Sequence, residues 1–532
     1  MPRLLNTLLV SACCIHGLVC HAQSFRVPIY IDGAFEDWPV QPGTPFIRAT
    51  SDSDGVYVYF QLPGRVVFQG EADLALYFDT DADAGTGFEG FEIRWEAGSR
   101  LGTLFNVNGT SSGQVYHDDI GLVVAPTIDS DAFELVLSRS IFSGAAARVK
   151  VVHPSSGFSE SIDFDLEDTS FSSVRESGRP EFSDVRVCSY NVHFDGLWDP
   201  AYRGAFESEI ASLQPEIIAF QEIYSHTASQ TLQWAQGVDS NYTHSVNGAD
   251  CHIISKYPIA DFWALDGNAA ARIILGAGKE MILINVHLPC CSSVAGRQNE
   301  LSTINDFISD VRGGNLANVA PTIPVLAAGD FNFVDSDSAN IAGFETDSSL
   351  SRTRFLQLDD NTSATWENPA SSFSPGQLDW LFVSEGLIPL NHFIAKGTHP
   401  SDHLPVVVDL AFDSDSDFLP DPWELFFFEN LSASPLDHSD SDLIANGAEF
   451  LLGTSPISNS IPPALNVSNP SAGVMSLQWK ARYTTRYSIE MSTELSTWQE
   501  VDWGLSSYLG TAEVLLEDLE LGSQTFFRLR ME

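Results

Sequence analysis

The chain has 532 residues, of which 71 are acidic and 26 are lysine or arginine, so its formal net charge is −45. An acidic surface of this kind excludes a protein that coats nucleic acid, because such binding needs basic groups that displace counterions. Hydrophobic residues make up 44% of the chain, which is enough for several cores, and the length predicts a multidomain protein.

Residues 1–22 have the pattern of a secretory signal peptide. Arg3 gives a positive start, Leu4 to Val19 is mostly apolar, and Cys20-His21-Ala22 is typical of a small-residue cleavage site. No later stretch approaches the ~20 apolar residues that span a bilayer. We therefore expect a secreted or cell-surface protein without a transmembrane segment.

Four cysteines follow the predicted signal: Cys188, Cys251, Cys290 and Cys291. No Cys-x-x-Cys pattern is present, which argues against structural zinc and thioredoxin-like chemistry. A bridge from Cys251 to Cys290 or Cys291 is one alternative, and free thiols are the other.

Residues 23–170 predict an all-β sandwich, because short apolar or alternating runs are separated by turns. Parts of this region resemble bacterial sugar-binding sandwiches related to family-nine carbohydrate-binding modules. The resemblance rests on Ile31-Asp32-Gly33 with Asp37-Trp38, and on Phe78 to Asp83 followed by Gly85-Thr86-Gly87. It implies a glycan as a possible partner, whereas Trp38 and Trp95 as core residues are the alternative.

Alternate aspartates follow one of these strands, at Asp79, Asp81 and Asp83. Such a pattern can converge on Ca²⁺, which takes six to eight oxygen ligands. A solvated acidic hairpin loop is the alternative reading of the same residues.

Residues 171–183 are rich in Ser, Glu and Gly and predict a linker, after which the pattern changes. Apolar residues spaced as in a helix end at Pro215, and the run 217–220 is typical of a buried strand. Strands that alternate with helices in this way predict an α/β domain at 184–412.

Polar residues follow or precede the apolar strands of this domain. Carboxylates next to buried strands are costly unless they are paired or bound to a cation, so several of them at one edge predict a hard-cation site. Histidines at the same edge can transfer protons. The residues concerned are Asn191, Glu222, His287, Asp330, Asn332, Asp379, Asp402 and His403.

The order and the residues of these segments resemble the motifs of the endonuclease/exonuclease/phosphatase superfamily. The matching motifs are Ser189-Tyr190-Asn191, Pro215 to Glu222, Ser255 to Ile259, Asn285 to Leu288, Gly329 to Asn332, Leu378-Asp379-Trp380 and Ser401-Asp402-His403. The resemblance implies a four-layer αββα sandwich and a divalent-metal-dependent phosphoesterase. It also implies Glu222 as the principal ligand of Mg²⁺ or Mn²⁺, helped by Asn191 and Asp402.

The same resemblance implies catalytic roles for five residues. Asp330 would orient or deprotonate the attacking water, and Asn332 would hold a phosphate oxygen. His403, held by Asp379, would stabilise the transition state or act as a base. His287 would protonate the leaving oxygen.

The substrate class stays open between an extracellular nuclease, acting on DNA or RNA, and a hydrolase of small organic phosphates. No basic stripe stands out for long nucleic acid, and Arg203, Arg272 and Arg297 are not included in the predicted site. The alternative function is a calcium-stabilised glycan-binding or surface protein with an inactive phosphoesterase-like domain. In either case we expect a monomer.

Residues 413–460 form an acidic segment that resembles degenerate thrombospondin type 3 or dockerin-like calcium repeats, in which Phe418 and Leu443 replace the turn glycine. An acidic linker is the alternative, and residues 461–532 predict a small C-terminal β domain. The first loop places acids at positions 1, 3, 5, 9 and 12 of an EF-hand-length loop, and a weaker copy follows. These residues are Asp413, Asp415, Asp417, Asp421 and Glu424 in the first, and Asp440, Asp442, Asn446 and Glu449 in the second.

Overall fold

The computed structural model describes residues 29–35, 38, 47–167, 178–355, 361–397, 399–442 and 444–459, and most of 466–531 in six segments (466–471, 474–481, 485–494, 496–506, 510–517 and 526–531). The predicted signal peptide at 1–22, Asp37, Leu443 and residues 171–177 of the predicted linker lie outside the described residues.

The N-terminal region is a sandwich of two antiparallel sheets, as its short alternating runs predict. Phe60 and Phe133 of one sheet and Phe78 and Trp95 of the other are buried in one shared core. The elements are β1 (Ile47–Ser51), β2 (Gly55–Val66), β3 (Ala75–Asp79), β4 (Ile93–Glu96), β5 (Leu101–Phe105), β6 (Ser111–Val115), α1 (His117–Ile120), β7 (Val123–Ala125), β8 (Ser130–Ser138), β9 (Ala146–His153) and β10 (Phe158–Asp165). The sheet orders are β1-β2-β8-β7 and β10-β9-β3-β4-β5-β6.

Two tryptophans of this sandwich are core residues. Trp38 and Trp95 are each only 2% exposed, and Trp38 Nε1 donates a hydrogen bond of 2.8 Å to Glu134 Oε2. Neither ring is therefore available as a surface for stacking a sugar.

In its described residues (184–355, 361–397 and 399–412), the central domain contains two six-stranded sheets and four helices. Its first half comprises β11 (Val185–Asn191), α2 (Arg203–Leu213), β12 (Ile217–Gln221), α3 (Ala228–Val238), β13 (His244–Gly248), β14 (Cys251–Ser255), β15 (Ile259–Leu265) and β16 (Asn268–Gly276). Its second half comprises β17 (Lys279–His287), α4 (Val294–Arg312), β18 (Val325–Asp330), α5 (Ser338–Ser348), β19 (Ser351–Arg352), β20 (Asp379–Val383), β21 (Leu387–Ile394) and β22 (Val406–Phe412). The sheet orders are β13-β14-β12-β11-β22-β21 and β15-β16-β17-β18-β20-β19.

The two sheets face each other and the helices cover their outer faces. Strand β12 is apolar throughout because both of its faces are buried. Ile217 and Ala219 pack between the sheets, whereas Ile218 and Phe220 pack with Phe206 of α2. On the other side, α4 and α5 cover the second sheet. The layers are therefore helix, sheet, sheet and helix, as the family resemblance implies.

The N-terminal region is joined to the central domain by direct contacts. Ile31 pairs with Thr362 in a parallel bridge, and Tyr30 is buried in the core between the two central sheets. Arg354 Nε donates to Asp32 Oδ2 at 2.5 Å. The first described residues thus belong in part to the packing of the central domain.

After the central domain come α6 (Asp421–Phe428) and α7 (Asn446–Leu452), and the described segments from 466 onward form two three-stranded antiparallel sheets. Among the helices in the described part of the chain, none is long and apolar enough to cross a membrane. The strands are β23 (Asn466–Ser471), β24 (Val474–Ala481), β25 (Thr485–Ser492), β26 (Gln499–Ser506), β27 (Gly510–Glu517) and β28 (Phe526–Met531). They are ordered β23-β24-β27 and β26-β25-β28.

The cysteines of the central domain are free thiols. Cys188 and Cys251 are buried, whereas Cys290 and Cys291 are exposed. The disulfide from Cys251 to Cys290 or Cys291 is therefore not formed. The structure has the alternative, free thiols.

Candidate functional site

The predicted site residues lie at one edge of the two facing sheets. Strands β11 and β12 run parallel, as do β17 and β18, so Asn191, Glu222, His287 and Asp330 all come at or just after carboxyl ends of strands. Asp379 pairs directly with Asp330 at the start of an antiparallel strand. The edge where parallel strands end is thus where the polar residues collect.

Asn191 connects the two central carboxylates. Its side-chain nitrogen lies 3.0 Å from Glu222 Oε1 and 3.1 Å from Asp330 Oδ2. Its side-chain oxygen accepts the backbone N–H of His193 at 3.0 Å. One buried amide therefore fixes the spacing between the carboxylates that come from the two different sheets.

Asp330 is buried and lies between two histidines. Its Oδ2 is 3.7 Å from His287 Nε2 and 3.6 Å from His403 Nε2. Burial raises the pKa of Asp330, the charge of His403 lowers it and that of Asp379 raises it again, which gives a pKa of about 6. Asp330 can therefore change its protonation state near neutral pH.

Asn332 supports Asp330 directly. Its backbone N–H donates to Asp330 Oδ1 at 2.9 Å, and its side-chain nitrogen donates to Asp330 Oδ2 at 3.0 Å and to the Leu288 carbonyl at 2.9 Å. In the structure the amide nitrogen is therefore turned towards Asp330 and Leu288. The role that the resemblance implies for Asn332, holding a phosphate oxygen, stays a prediction.

His403 and Asp379 form a buried pair, as expected. His403 Nδ1 lies 2.8 Å from Asp379 Oδ2, and the backbone N–H of Asp379 is bound by Thr365 Oγ1. Burial lowers the pKa of His403, but the charges of Asp379 and Asp330 outweigh this effect and raise it to about 10. The imidazole is therefore protonated at neutral pH and directs its Nε2 towards Asp330.

His287 has a carboxylate partner that the sequence did not reveal, Asp250. His287 Nδ1 lies 2.5 Å from Asp250 Oδ2. Burial lowers the pKa of His287, whereas the hydrogen bond to Asp250 and the charges of Asp330 and Glu222 raise it, with a value of about 9 as the result. The site thus contains two histidine–carboxylate pairs, one on each side of Asp330.

Asp402 is close to this centre but has other direct partners. Trp366 Nε1 donates to Asp402 Oδ2 at 3.2 Å, and His193 Nδ1 lies 3.0 Å from Asp402 Oδ1. Neither Trp366 nor His193 was included in the predicted site. The prediction that Asp402 is a metal ligand together with Glu222 stays a prediction.

A buried polar network lies below the site and connects the two sheets. Gln221 donates to Ser189 Oγ at 3.0 Å and to Asn285 Oδ1 at 2.7 Å, and Asn285 donates to the carbonyls of Phe220 and His252. These groups come from strands of both sheets. Because a buried amide is costly unless it is paired, the network fixes the distance between the sheets just under the predicted site residues.

The three arginines that the sequence left outside the site are all paired elsewhere. Arg203 contacts Glu207, Arg272 contacts Asp261 and Glu280, and Arg297 is buried against Asp337. Their exclusion from the predicted site agrees with these contacts.

The donor set at this edge fits a hard divalent cation. Glu222, Asp250 and Asp330 offer carboxylate oxygens, which Mg²⁺ and Mn²⁺ prefer, and the three carboxylates meet around His287. Asn191 turns its side-chain nitrogen towards Glu222 and Asp330 and its oxygen towards the His193 N–H, so its role as a ligand stays a prediction. The carboxylates of Glu222, Asp250, Asp330 and Asp379 outnumber the two imidazoles that lie against them, so negative charge is in excess when all four are ionised. A cation bound beside Glu222 would compensate for that excess.

Two further acidic groups correspond to the predicted calcium loops. Asp413, Asp415 and Asp417 place one oxygen each within 4.8 Å of one another, and so do Asp440, Asp442 and Glu449. Asp421 is turned away, because both of its oxygens accept hydrogen bonds from Ser414, at 2.7 and 2.6 Å. Glu424 is buried, and in the described structure its Oε2 has no hydrogen-bond partner.

The aspartates of the N-terminal loop converge only in part. Asp79 and Asp81 meet Glu92, which the sequence had not singled out. Asp83 instead accepts the backbone N–H of Gly85 at 2.9 Å. Asp79 is also paired with Arg148 at 3.1 Å, so a cationic side chain already contacts this group.

Three solved structures illustrate what the chain is similar to. An endonuclease/exonuclease/phosphatase from Bacteroides vulgatus is 15% identical, with 43% of this chain and 99% of that chain covered and a TM-score of 0.35. A protein of the same description from Beutenbergia cavernae is 12% identical, with 65% of this chain and 95% of that chain covered and a TM-score of 0.34. A family protein from Leptotrichia buccalis is 16% identical, with 43% of this chain and 100% of that chain covered and a TM-score of 0.33. Comparison with curated proteins gives no match.

Residues 188–403 match the model of the Endonuclease/Exonuclease/phosphatase family. The matched segment contains all eight predicted active-site residues, from Asn191 to His403, and it also contains Asp250. It covers less than half of the chain, so the assignment concerns this domain. The central domain of the chain is therefore a domain of the Endonuclease/Exonuclease/phosphatase family.

Proposed function

We propose that the protein is a divalent-metal-dependent phosphoesterase. The observation that carries this proposal is the position of Asp330 between two histidines, each held by its own carboxylate partner. A carboxylate with a pKa of about 6 can accept a proton at neutral pH, and two protonated imidazoles can stabilise or protonate oxygen atoms of a phosphoester.

In this proposal Asp330 orients the attacking water and takes its proton as the water oxygen bonds to phosphorus. His403, which is held by Asp379, stabilises the charge on the phosphoryl oxygens as an imidazolium. His287, which is held by Asp250, donates its Nε2 proton to the leaving oxygen as the phosphorus–oxygen bond breaks. Hydrolysis therefore consumes one water and gives an alcohol and a phosphate group.

Glu222 and Asn191, with Asp402 nearby, are the residues that would hold the cation. A bound divalent ion neutralises charge on phosphoryl oxygens during the displacement.

We further propose that the protein is secreted, by virtue of residues 1–22, and acts on nucleic acid or small organic phosphates. The family match supports the reaction class.

Hydrolysis of bis(4-nitrophenyl) phosphate is expected to require Mg²⁺ or Mn²⁺ and to stop when a chelator is added in excess. The Glu222→Gln variant is expected to need at least about tenfold more metal for half-maximal activity, because one ligand charge is lost. Metal titrations of the initial rate measure both effects.

A matched control is Glu207→Gln, which changes a partly exposed glutamate of α2 that contacts Arg203. Its metal requirement should equal that of the unmodified protein. Full activity in excess chelator would contradict the metal assignment, and an unchanged metal requirement in Glu222→Gln would move the ion away from Glu222.

We also propose that the loops 413–424 and 440–449 bind Ca²⁺ as structural ions. The support comes from the converging aspartates and from Glu424. Burial raises the pKa of Glu424 to about 7, and the charges of Asp417 and Asp415 act in the same direction. A calcium ion at the first loop would give this buried carboxylate the positive partner that it lacks.

Calcium at about a hundred times its dissociation constant is expected to raise the free energy of unfolding by ~2.7 kcal/mol for one site. The Glu424→Gln variant should gain much less, because its neutral amide cannot compensate the cation. Thermal melting with and without calcium measures the difference. Glu429→Gln, at the exposed end of α6, serves as the control and should respond as the unmodified protein does. Melting that does not depend on calcium would favour a plain acidic linker.

A further inference from the structure

Two aromatic side chains are exposed beside the proposed active site. Phe194 is 69% exposed and Tyr224 is 54% exposed. Their ring centroids are 5.8 Å apart and their planes differ by 32°, so the rings contact each other and present a nearly continuous apolar face to solvent. A single exposed aromatic residue is common on protein surfaces, but an adjacent pair at a catalytic edge needs a reason.

Both aromatic residues lie next to Glu222, one through a hydrogen bond and the other in sequence. The backbone N–H of Phe194 donates to Glu222 Oε2 at 2.9 Å, and Tyr224 follows Glu222 by two residues. The apolar face therefore adjoins the site where a phosphate would bind.

The backbone keeps Phe194 in this exposed position. His193, Phe194 and Asp195 have φ values of 47°, 49° and 61°, and Glu222 has 62°, all in the left-handed region that non-glycine residues avoid. The bend is maintained by hydrogen bonds, because Asp195 N–H donates to the Glu222 carbonyl at 2.9 Å and the Asp195 carboxylate accepts from Ser225. Such strain persists where the surrounding structure enforces it and is concentrated at functional sites.

The acidic chain and the pairing of its three candidate arginines disfavour tight electrostatic binding of long nucleic acid. The chain carries a net charge of −45, and Arg203, Arg272 and Arg297 are committed to acidic partners. Long nucleic acid binds largely through cationic contacts to many phosphates, whereas an unpaired base can stack on an aromatic ring without any charge. Stacking is therefore the recognition that these residues can provide.

We propose that Phe194 and Tyr224 form a stacking surface for the base of an unpaired nucleotide whose phosphoester is hydrolysed next to Asp330. This inference rests on the proposed phosphoesterase function and specifies its substrate class: nucleotide phosphodiesters with a free base, not duplex DNA. The stacked base would position the adjacent phosphate between His287 and His403.

The test compares two esters with the same leaving group: thymidine 5′-(4-nitrophenyl phosphate) and methyl 4-nitrophenyl phosphate. The unmodified protein is expected to show a kcat/KM at least about tenfold higher for the nucleoside ester. Phe194→Ala and Tyr224→Ala should each lower this ratio at least about fivefold, while the methyl ester rate stays within about twofold. Tyr224→Phe, which keeps the ring, should retain the ratio.

Phe262→Ala is the matched control, because Phe262 is 37% exposed on β15 and lies outside the proposed stacking surface. The methyl ester rate reports that each variant is folded and active. A ratio near one in the unmodified protein, or a ratio unchanged in both alanine variants, would overturn the stacking surface and leave the phosphoesterase proposal intact. If neither ester is hydrolysed, the phosphoesterase proposal fails, and the stacking inference fails with it.

Discussion

Asp330→Asn is expected to lower the turnover of a phosphodiester substrate by at least about a hundredfold, without lowering the melting temperature measured in chelator. Asparagine has the same shape and can still contact Asn191, but it cannot accept the proton of the attacking water. The substitution also removes a buried charge, and because burial raises the pKa of Asp330, ionisation of this carboxylate is less favourable in the folded protein than in the unfolded chain. Steady-state kinetics and thermal melting together measure the two effects.

The combination of lost activity and kept stability distinguishes a catalytic role from a structural one. Asp310→Asn is the matched control, because Asp310 lies in α4 and contacts the exposed side chain of Asn315. This control should keep both turnover and melting temperature. If Asp330→Asn turns over substrate at nearly the unmodified rate, Asp330 is not the base and the proton acceptor lies elsewhere.

The second large effect is expected at the buried pair of His403 and Asp379. Asp379→Asn and His403→Gln should each lower turnover by at least about a hundredfold, because the imidazolium loses either its orientation or its charge. The double variant should be about as slow as the slower single variant, since the two residues act as one unit. Glutamine is chosen because it can still donate to Asp379, whereas alanine would leave that carboxylate buried and unpaired.

Single-turnover rates for the two single variants and the double variant measure this coupling. His244→Gln, on β13, is the control histidine and should keep its activity. Losses that simply multiply in the double variant would show that Asp379 and His403 act independently, and the proposed pair would then be wrong.

The sequence predicted the layers of the central domain and most of the side chains that gather at the candidate site, because both depend on local patterns. The apolar run 217–220 is a strand with a parallel neighbour, and the carboxyl ends of parallel strands lie at the same edge of a sheet. The polar residues that follow such strands, Glu222 among them, therefore collect at one edge. Eight residues between Asn191 and His403 could be identified in this way, and the structure places seven of them in direct contact around Asp330 or its partners. Asp402 is the exception, because its contacts are with His193 and Trp366.

The residues that the sequence missed are those whose roles depend on distant partners. Asp250 lies in the turn between β13 and β14, where an acidic residue is typical of a turn, and only the folded structure brings it to His287. Trp366 comes from a segment without helix or strand, and its partner Asp402 is far away in sequence. The regular spacing of strand ends gives no information about either contact.

The position of Tyr30 bears on how the protein can be divided for experiments. Its ring fills a place in the interior between the two central sheets, and its neighbour Ile31 pairs with the segment that leads to Trp366. A fragment cut at residue 184 would lack that ring and leave a tyrosine-sized hole in its interior. A truncation intended to isolate the hydrolase should therefore start upstream of Tyr30, and the β-sandwich should be regarded as part of its support.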